Sequence, residues 1–156
     1  MVGMRLSAKT DYAIRAAVEV AAAYADGRLI TAERIAEAQD IPLRFLLVIL
    51  NELRHAGLLT SRRGQDGGYR LARSPGDVTL ADVIRTVDGP LANIAGARPD
   101  ELDLTGSAQP LQTVWIALRS NIRAVLEQVT LEDVTTGRLP DAVAALAGPP
   151  AAWEPH

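Results

Sequence analysis

Between Leu58 and Arg73 the chain leaves a helical pattern for an extended one and folds back on itself. Leu58-Leu59-Thr60-Ser61-Arg62-Arg63 and Tyr69-Arg70-Leu71-Ala72-Arg73 are short extended runs. Gly64-Gln65-Asp66-Gly67-Gly68 separates them and is rich in the one residue that accepts positive φ and close backbone approach. The combination predicts a β-hairpin. What precedes it narrows the fold further. Ile14, Ala17, Val18 and Ala21 recur at helical spacing between Ser7 and about Tyr24, and Asp26-Gly27 ends that helix. Thr31 caps a short helix from Ala32 to Ala38, with Ile35 and Ala36 inward. Asp40-Ile41-Pro42 breaks the chain, and Pro42 suits a first helical turn, where a missing N–H costs nothing. A third helix runs from Pro42 to His55 with Leu43, Leu46, Leu50 and Leu53 as its core stripe and Gly57 as its stop. Three helices and then a hairpin with arginines at its base is the order of a winged helix–turn–helix. The expected fold class is mainly α with a small β-hairpin wing, the winged domain occupying residues 1–73.

The second half reads differently. Thr79 opens a helix that ends near Val87, and residues 91–109 lack periodicity, which predicts an irregular loop. A loop of that length in a compact protein usually has a function or is disordered. A long helix over 110–129 carries the strongest apolar stripe of the chain: Leu111, Val114, Trp115, Leu118, Ile122, Val125, Leu126 and Val129. That stripe could be an intramolecular core, but the preceding domain already has apolar faces of its own. Pairing with the same helix of a second copy buries it and supplies the two-fold symmetry of a palindromic site. Residues 74–140 are therefore expected to dimerise and to sense an effector. Thr130 caps a brief helix, Ala142 to Ala147 suggest a last weak turn or helix, and a weakly ordered tail is expected over 141–156.

Charge and residue counts exclude several functions. The 156 residues contain no cysteine and only two histidines, His55 and His156. Cysteine-held zinc or iron–sulfur sites cannot be built, and a histidine-based catalytic centre lacks its parts. No apolar run approaches the roughly 20 residues that span a bilayer, so a soluble cytoplasmic protein is expected. The net charge of −3 conceals a division. Residues 1–73 hold eleven Lys/Arg against eight Asp/Glu, net +3; residues 74–156 hold five against eleven, net −6. The basic excess lies where a polyanion would be met.

Base reading in a helix–turn–helix falls to exposed positions near the start of the second motif helix. Arg44 is the candidate here, because a guanidinium can bond guanine in two places. Arg63 could enter the minor groove, and Arg62 and Arg70 could meet phosphate, on a turn whose Gly64, Gly67 and Gly68 permit close approach. Leu47 and Val48 do not fit the core stripe. At least one of them must be exposed, face a thymine methyl or pack on a neighbouring element, and packing is the expected outcome. Asp100, Glu101 and Asp103 have no basic or histidine partner in sequence, so solvated loop roles are expected and an enzyme is not. The glycine-rich turn lacks the Gly-Lys-Ser/Thr ending of a nucleotide loop. The competing expectation to a DNA-binding regulator is a winged-helix protein-interaction module that does not bind DNA.

Several segments resemble one family, the Rrf-type winged-helix regulators that include IscR, NsrR and CymR. They are Met4–Lys9 with Asp11-Tyr12-Ala13, Ile41-Pro42 with Phe45-Leu46, Leu53-Arg54 with Ala56–Leu59, and Ser61–Leu71. Thr79–Ile84, Val87-Asp88-Gly89, Trp115 and Thr130–Asp133 continue the match over residues 4 to 136. The resemblance implies a homodimer crossing through its long helices and two winged domains on one palindromic duplex. It implies base reading at Arg44, minor-groove contact at Arg63 and a phosphate contact at Lys9. Cluster-binding members carry three cysteines in the segment matching residues 91–109, and this chain has none there. The resemblance is thus to a cysteine-free branch with no iron–sulfur cofactor, some of whose members are controlled by partner proteins; a small-molecule effector is the other possibility. Leu47 and Val48 depart from the polar residues common at those positions.

Overall fold

A computed structural model describes residues 6–155. Helix α1 (Ala8–Ala25) is the central post. Ser7 caps it by accepting from the Thr10 N–H at 3.1 Å. Its buried face is mostly small: Ala13, Ala16, Ala17, Ala21 and Ala23, with Thr10 and Val20 the larger members. Small side chains let neighbouring backbones approach, and α1 accordingly touches α2 (Ala32–Gln39), α3 (Leu43–His55), α4 (Leu80–Asp88), α6 (Leu131–Thr136) and the second strand of the hairpin.

Helix α2 begins at the expected Thr31 cap, which accepts from the Arg34 N–H. It ends at Asp40, which takes the left-handed conformation (φ 51°, ψ 50°). Asp tolerates that region better than most residues. The turn lets buried Ile41 tuck under α2, its N–H bonded to the Ala36 carbonyl at 3.0 Å. Helix α3 starts directly after Pro42. Its core stripe is Leu46, Ile49, Leu50 and Leu53. Leu43, expected in that stripe, is 37% exposed, and Ile49 takes its place. Ile49 stands three residues after Leu46 and four before Leu53, on the same face.

Strands β1 (Leu59–Arg62) and β2 (Gly68–Leu71) pair antiparallel, Leu59 opposite Leu71 and Arg62 opposite Gly68. Ile30 adds a bridge to Tyr69 on the outer side of β2. This is why position 68 is glycine: a Cβ there would lie 2.7 Å from the Ile30 carbonyl oxygen. The hairpin's inner end, Leu58, Leu59 and Leu71, closes the core. The architecture is a winged helix–turn–helix, mostly helical with one two-stranded sheet.

The core continues beyond residue 73. Val78, Val83 and Leu131 belong to the same buried cluster as α1 and α3. Two capping boxes hold this extension. Thr79 and Asp82 open α4, Thr130 and Asp133 open α6, and each pair exchanges side-chain and backbone hydrogen bonds. The two caps are themselves bridged: the Leu80 N–H donates to Val129 O and the Leu131 N–H to Val78 O, both at 2.9 Å.

That bridge corrects one expectation. The long helix α5 (Leu111–Leu126) ends before 129, because the chain is drawn off into the bridge. Val129 is buried inside its own chain and is not part of an outward stripe. Residues 91–109 are irregular with two single 3₁₀ turns, Pro99–Glu101 and Gly106–Ala108. The last weak turn or helix expected at Ala142 to Ala147 is helix α7 (Asp141–Ala147), and the tail beyond it holds a 3₁₀ turn, Pro150–Trp153, where the Trp153 indole N–H donates to Ala147 O at 2.6 Å. Leu146 and Trp153 remain exposed there. No helix among the described residues is long and apolar enough to cross a membrane.

Candidate nucleic-acid interface

The outward face of α3 follows from its buried one. With Leu46, Ile49, Leu50 and Leu53 inward, a 3.6-residue period turns Arg44, Val48 and Asn51 directly away from the core, with Leu47 and Arg54 at the flank. Beside this face stands the wing. Together with the N-terminus of α2 they form an open cleft of about 660 Å³. Leu47, Val48, Asn51 and Arg54 line it from α3; Ser61, Arg62, Arg63, Gly64, Gly67, Gly68 and Tyr69 line it from the wing; Thr31, Ala32 and Glu33 close its far side.

The fold therefore brings together Arg62, Arg63 and the three wing glycines. Gly67 is required by space, since a Cβ would fall well inside contact distance of the Arg62 carbonyl oxygen. Gly64, at φ 109°, makes the turn. The Arg62 guanidinium reaches the Asp66 carbonyl at 3.5 Å, and Arg63 has no ion pair among the described residues. Arg44 is exposed one turn before Val48, outside the cleft itself, with its guanidinium 5.2 Å from the Phe45 ring centroid. Two further candidates are committed elsewhere. Lys9 is paired with Glu52 of α3 at 2.9 Å. Arg70 points to the opposite side of β2 from Tyr69, as strand alternation demands, and lies 4.7 Å from the Tyr24 ring centroid.

No element among the described residues covers Leu47 and Val48. They are 45% and 56% exposed, in contrast to the expectation of packing. Asn51 and Arg54 were not singled out from sequence. The Asn51 carbonyl oxygen accepts from the Arg54 guanidinium at 2.9 Å. Their signal was present: Asn51 falls four residues after Leu47, on the same face of a helix already assigned.

Away from the cleft, the 91–109 segment is tied to α5 by charge. Contrary to the expectation that Asp100 and Glu101 lack a basic partner, Asp100 accepts from Arg119 and pairs with Arg98 at 2.5 Å, and Arg98 also reaches Glu101 at 3.6 Å, because the fold lays the segment against α5. The Arg119 hydrogen bond is the main reason the Asp100 carboxyl is lowered from 3.8 to about 2. Arg98 is correspondingly raised, first by its hydrogen bond to Asp100. The side-chain amide of Gln112 adds bonds to the carbonyls of Pro99 and Leu102.

A helix–turn–helix whose outward helix and arginine-bearing wing share one concave face defines a DNA-binding transcription regulator of the winged-helix class. Comparison with known proteins gives the family. The Rrf2 family, described as an iron-dependent transcriptional regulator, matches residues 6–137. A Mycobacterium tuberculosis protein named as a candidate HTH-type transcriptional regulator is 46% identical over 144 residues, 92% of this chain and 89% of that protein. The HTH-type regulator IscR of Photobacterium profundum is 36% identical over 132 residues, 84% of this chain and 75% of that one. Among solved structures, CymR of Bacillus subtilis, titled the global cysteine regulator, superposes with a TM-score of 0.73 at 28% identity, covering 88% of this chain and 98% of that one. The chain belongs to the Rrf2 family of transcriptional regulators, and it is not an enzyme.

The family description names iron. Here the residues do not fit a cysteine-held cluster: the sequence has no cysteine, and among the described residues no group of three His, Cys, Asp or Glu side chains could hold a metal ion. Around the segment in question the polar chemistry is an ion-pair network, Arg98–Asp100–Arg119.

Proposed function

We propose that this chain acts as a homodimer on a palindromic operator, as a cytoplasmic repressor that uses no iron–sulfur cluster. The observation that carries the reading is the cleft in which Arg62 and Arg63 of the wing stand beside the outward face of α3. Arginines supply the salt-dependent attraction to phosphate, and the helix face meets base edges. Within that division Arg44 reads guanine, Arg63 enters the minor groove, and Arg62 meets phosphate. The backbone at Gly64, Gly67 and Gly68 lets the wing approach the duplex. Lys9 and Arg70 are the weaker phosphate candidates, because each must first leave Glu52 or Tyr24.

Dimerisation rests on α5. None of its 16 residues is fully buried, and Leu111 and Val114 are 42% and 51% exposed. The C-terminal part of its stripe differs, since Ile122 and Leu126 pack on Ala81, Ile84 and Leu91 of their own chain. The N-terminal part, with Leu111, Val114 and Leu118, is the section that a second copy would cover. Trp115 and Val125 border a second concavity, of about 800 Å³, between α5 and residues 90–95. An effector, whether a small molecule or a segment of a regulatory protein, acts there by tilting α5 and so changing the distance between the two α3 helices.

Selection from a random duplex pool followed by salt-titrated gel shift tests this reading. The expected result is a palindromic duplex whose affinity falls steeply with salt. Absent or salt-insensitive binding would favour a protein-interaction module instead.

A further inference from the structure

The cleft has a floor that charge does not explain. Leu47 and Val48 are neighbours on α3, Val48 on its outward face and Leu47 at the flank, about half exposed, with no element among the described residues covering them. Arg62 and Arg63 flank them from the wing and Arg54 from the next helical turn. An apolar strip bordered by cations is a poor seat for an acidic or basic polar surface. It is also unlike a plain protein-docking groove, because the flanking guanidiniums would be desolvated without partners. Its complement is a surface with anionic edges and a methyl-bearing floor. The DNA major groove offers that combination, since thymine alone among the bases places a methyl group there.

We infer that Leu47 and Val48 select the operator by contact with thymine 5-methyl groups. The inference rests on the reading of α3 as the base-reading helix and names what that helix reads. The selection has an attractive and a repulsive part. Against thymine, both partners lose apolar area to water. Against a G·C pair, the same side chains would cover guanine O6 and N7 and the cytosine amino group while returning no hydrogen bond, so those groups would lose water for nothing. Asn51 stands one turn beyond Leu47 on the same face, and its side-chain amide, once it leaves the Arg54 guanidinium, can bond adenine in two places. The strip therefore favours A·T pairs over the two or three steps it covers, with Arg44 one turn earlier set against guanine.

The test removes the methyl and nothing else. Each thymine of the selected operator is replaced in turn by deoxyuridine, and affinities are measured for the full chain and for Leu47→Ala and Val48→Ala. Both side chains are exposed, so the alanine variants keep the fold, which circular dichroism checks. The expected result is a loss of about fourfold per contacted methyl, and roughly fifteenfold when both half-sites are changed together. That sensitivity should disappear in the variant lacking the contacting side chain. A tightly bound palindrome indifferent to every uracil, or equal losses in wild type and variants, would overturn the inference while leaving DNA reading by α3 intact. Alanine variants that bind the operator as wild type does would also overturn it and would assign the strip to a protein partner. Failure to select any duplex would remove the DNA reading itself.

Discussion

The helices of the winged half and helix α5 were both legible as apolar stripes, yet they end in opposite conditions. In α3 the stripe Leu46, Ile49, Leu50 and Leu53 is buried within a single chain. In α5 a stripe of similar strength leaves no residue fully buried. Burial of apolar area is the main favourable term in folding; the winged half achieves it within one copy, whereas the N-terminal part of α5 keeps Leu111 and Val114 exposed. The difference separates two outcomes of one sequence pattern: the first stripe is consumed by the core of its own chain, and the second stays partly exposed and is, on our proposal, covered by a second copy. It also places the boundary between them later than residue 73, because α4 and α6 contribute Val83 and Leu131 to the first core.

Substitutions can set the two halves against each other. Leu50→Ala should cost about 2–5 kcal/mol of unfolding free energy by denaturant titration, through lost burial and a cavity, whereas Leu111→Ala should change monomer stability little. Val114→Glu should weaken self-association by about 2 kcal/mol or more, since a charge would enter the centre of a two-fold contact twice, with the far-UV spectrum unchanged. Arg63→Ala should weaken operator binding by ~1–3 kcal/mol without altering stability; an equal loss on random duplex would reduce Arg63 to a phosphate contact. Thr79→Ala, which removes one capping box, should cost about 1 kcal/mol of stability. The smallest effect belongs to Asp100. Its carboxyl is held at about 2 against an ordinary 3.8. A depressed carboxylate contributes stability above its ordinary value and loses it as pH falls from about 4 toward 2. Proteolysis of the 91–109 segment should accelerate across that window in the wild type, and Asp100→Asn should show the faster rate at neutral pH.

Most of the fold could be read in the sequence because its signals were local. Ser7, Thr31, Thr79 and Thr130 each stand where a cap is needed, and Asp26-Gly27 and Gly57 mark helix ends. The errors arose where distant segments decide. Val129 continues the helical periodicity of α5, but its carbonyl is taken by the Leu80 N–H from another element. Leu43 has the right residue type for the core, yet the turn at Asp40–Pro42 sets the helix so that Ile49 faces inward instead. In the cleft, Arg62, Arg63 and the glycines were legible as a motif, while Lys9 and Arg70 have partners, Glu52 and Tyr24, that only the three-dimensional fold supplies. Leu47 and Val48 were visible as residues without a place in the core. Their exposure depended on whether another element covered them, which periodicity does not encode.

On our proposal, two copies joined through α5 present two clefts to one duplex. The stoichiometry of the chain on its selected operator, measured by sedimentation velocity for the wild type and for Val114→Glu, tests it most directly. Two chains per duplex for the wild type, with weaker binding and loss of the two-chain complex for Val114→Glu, is the predicted result. One chain per duplex, with affinity the same for both proteins, would contradict it.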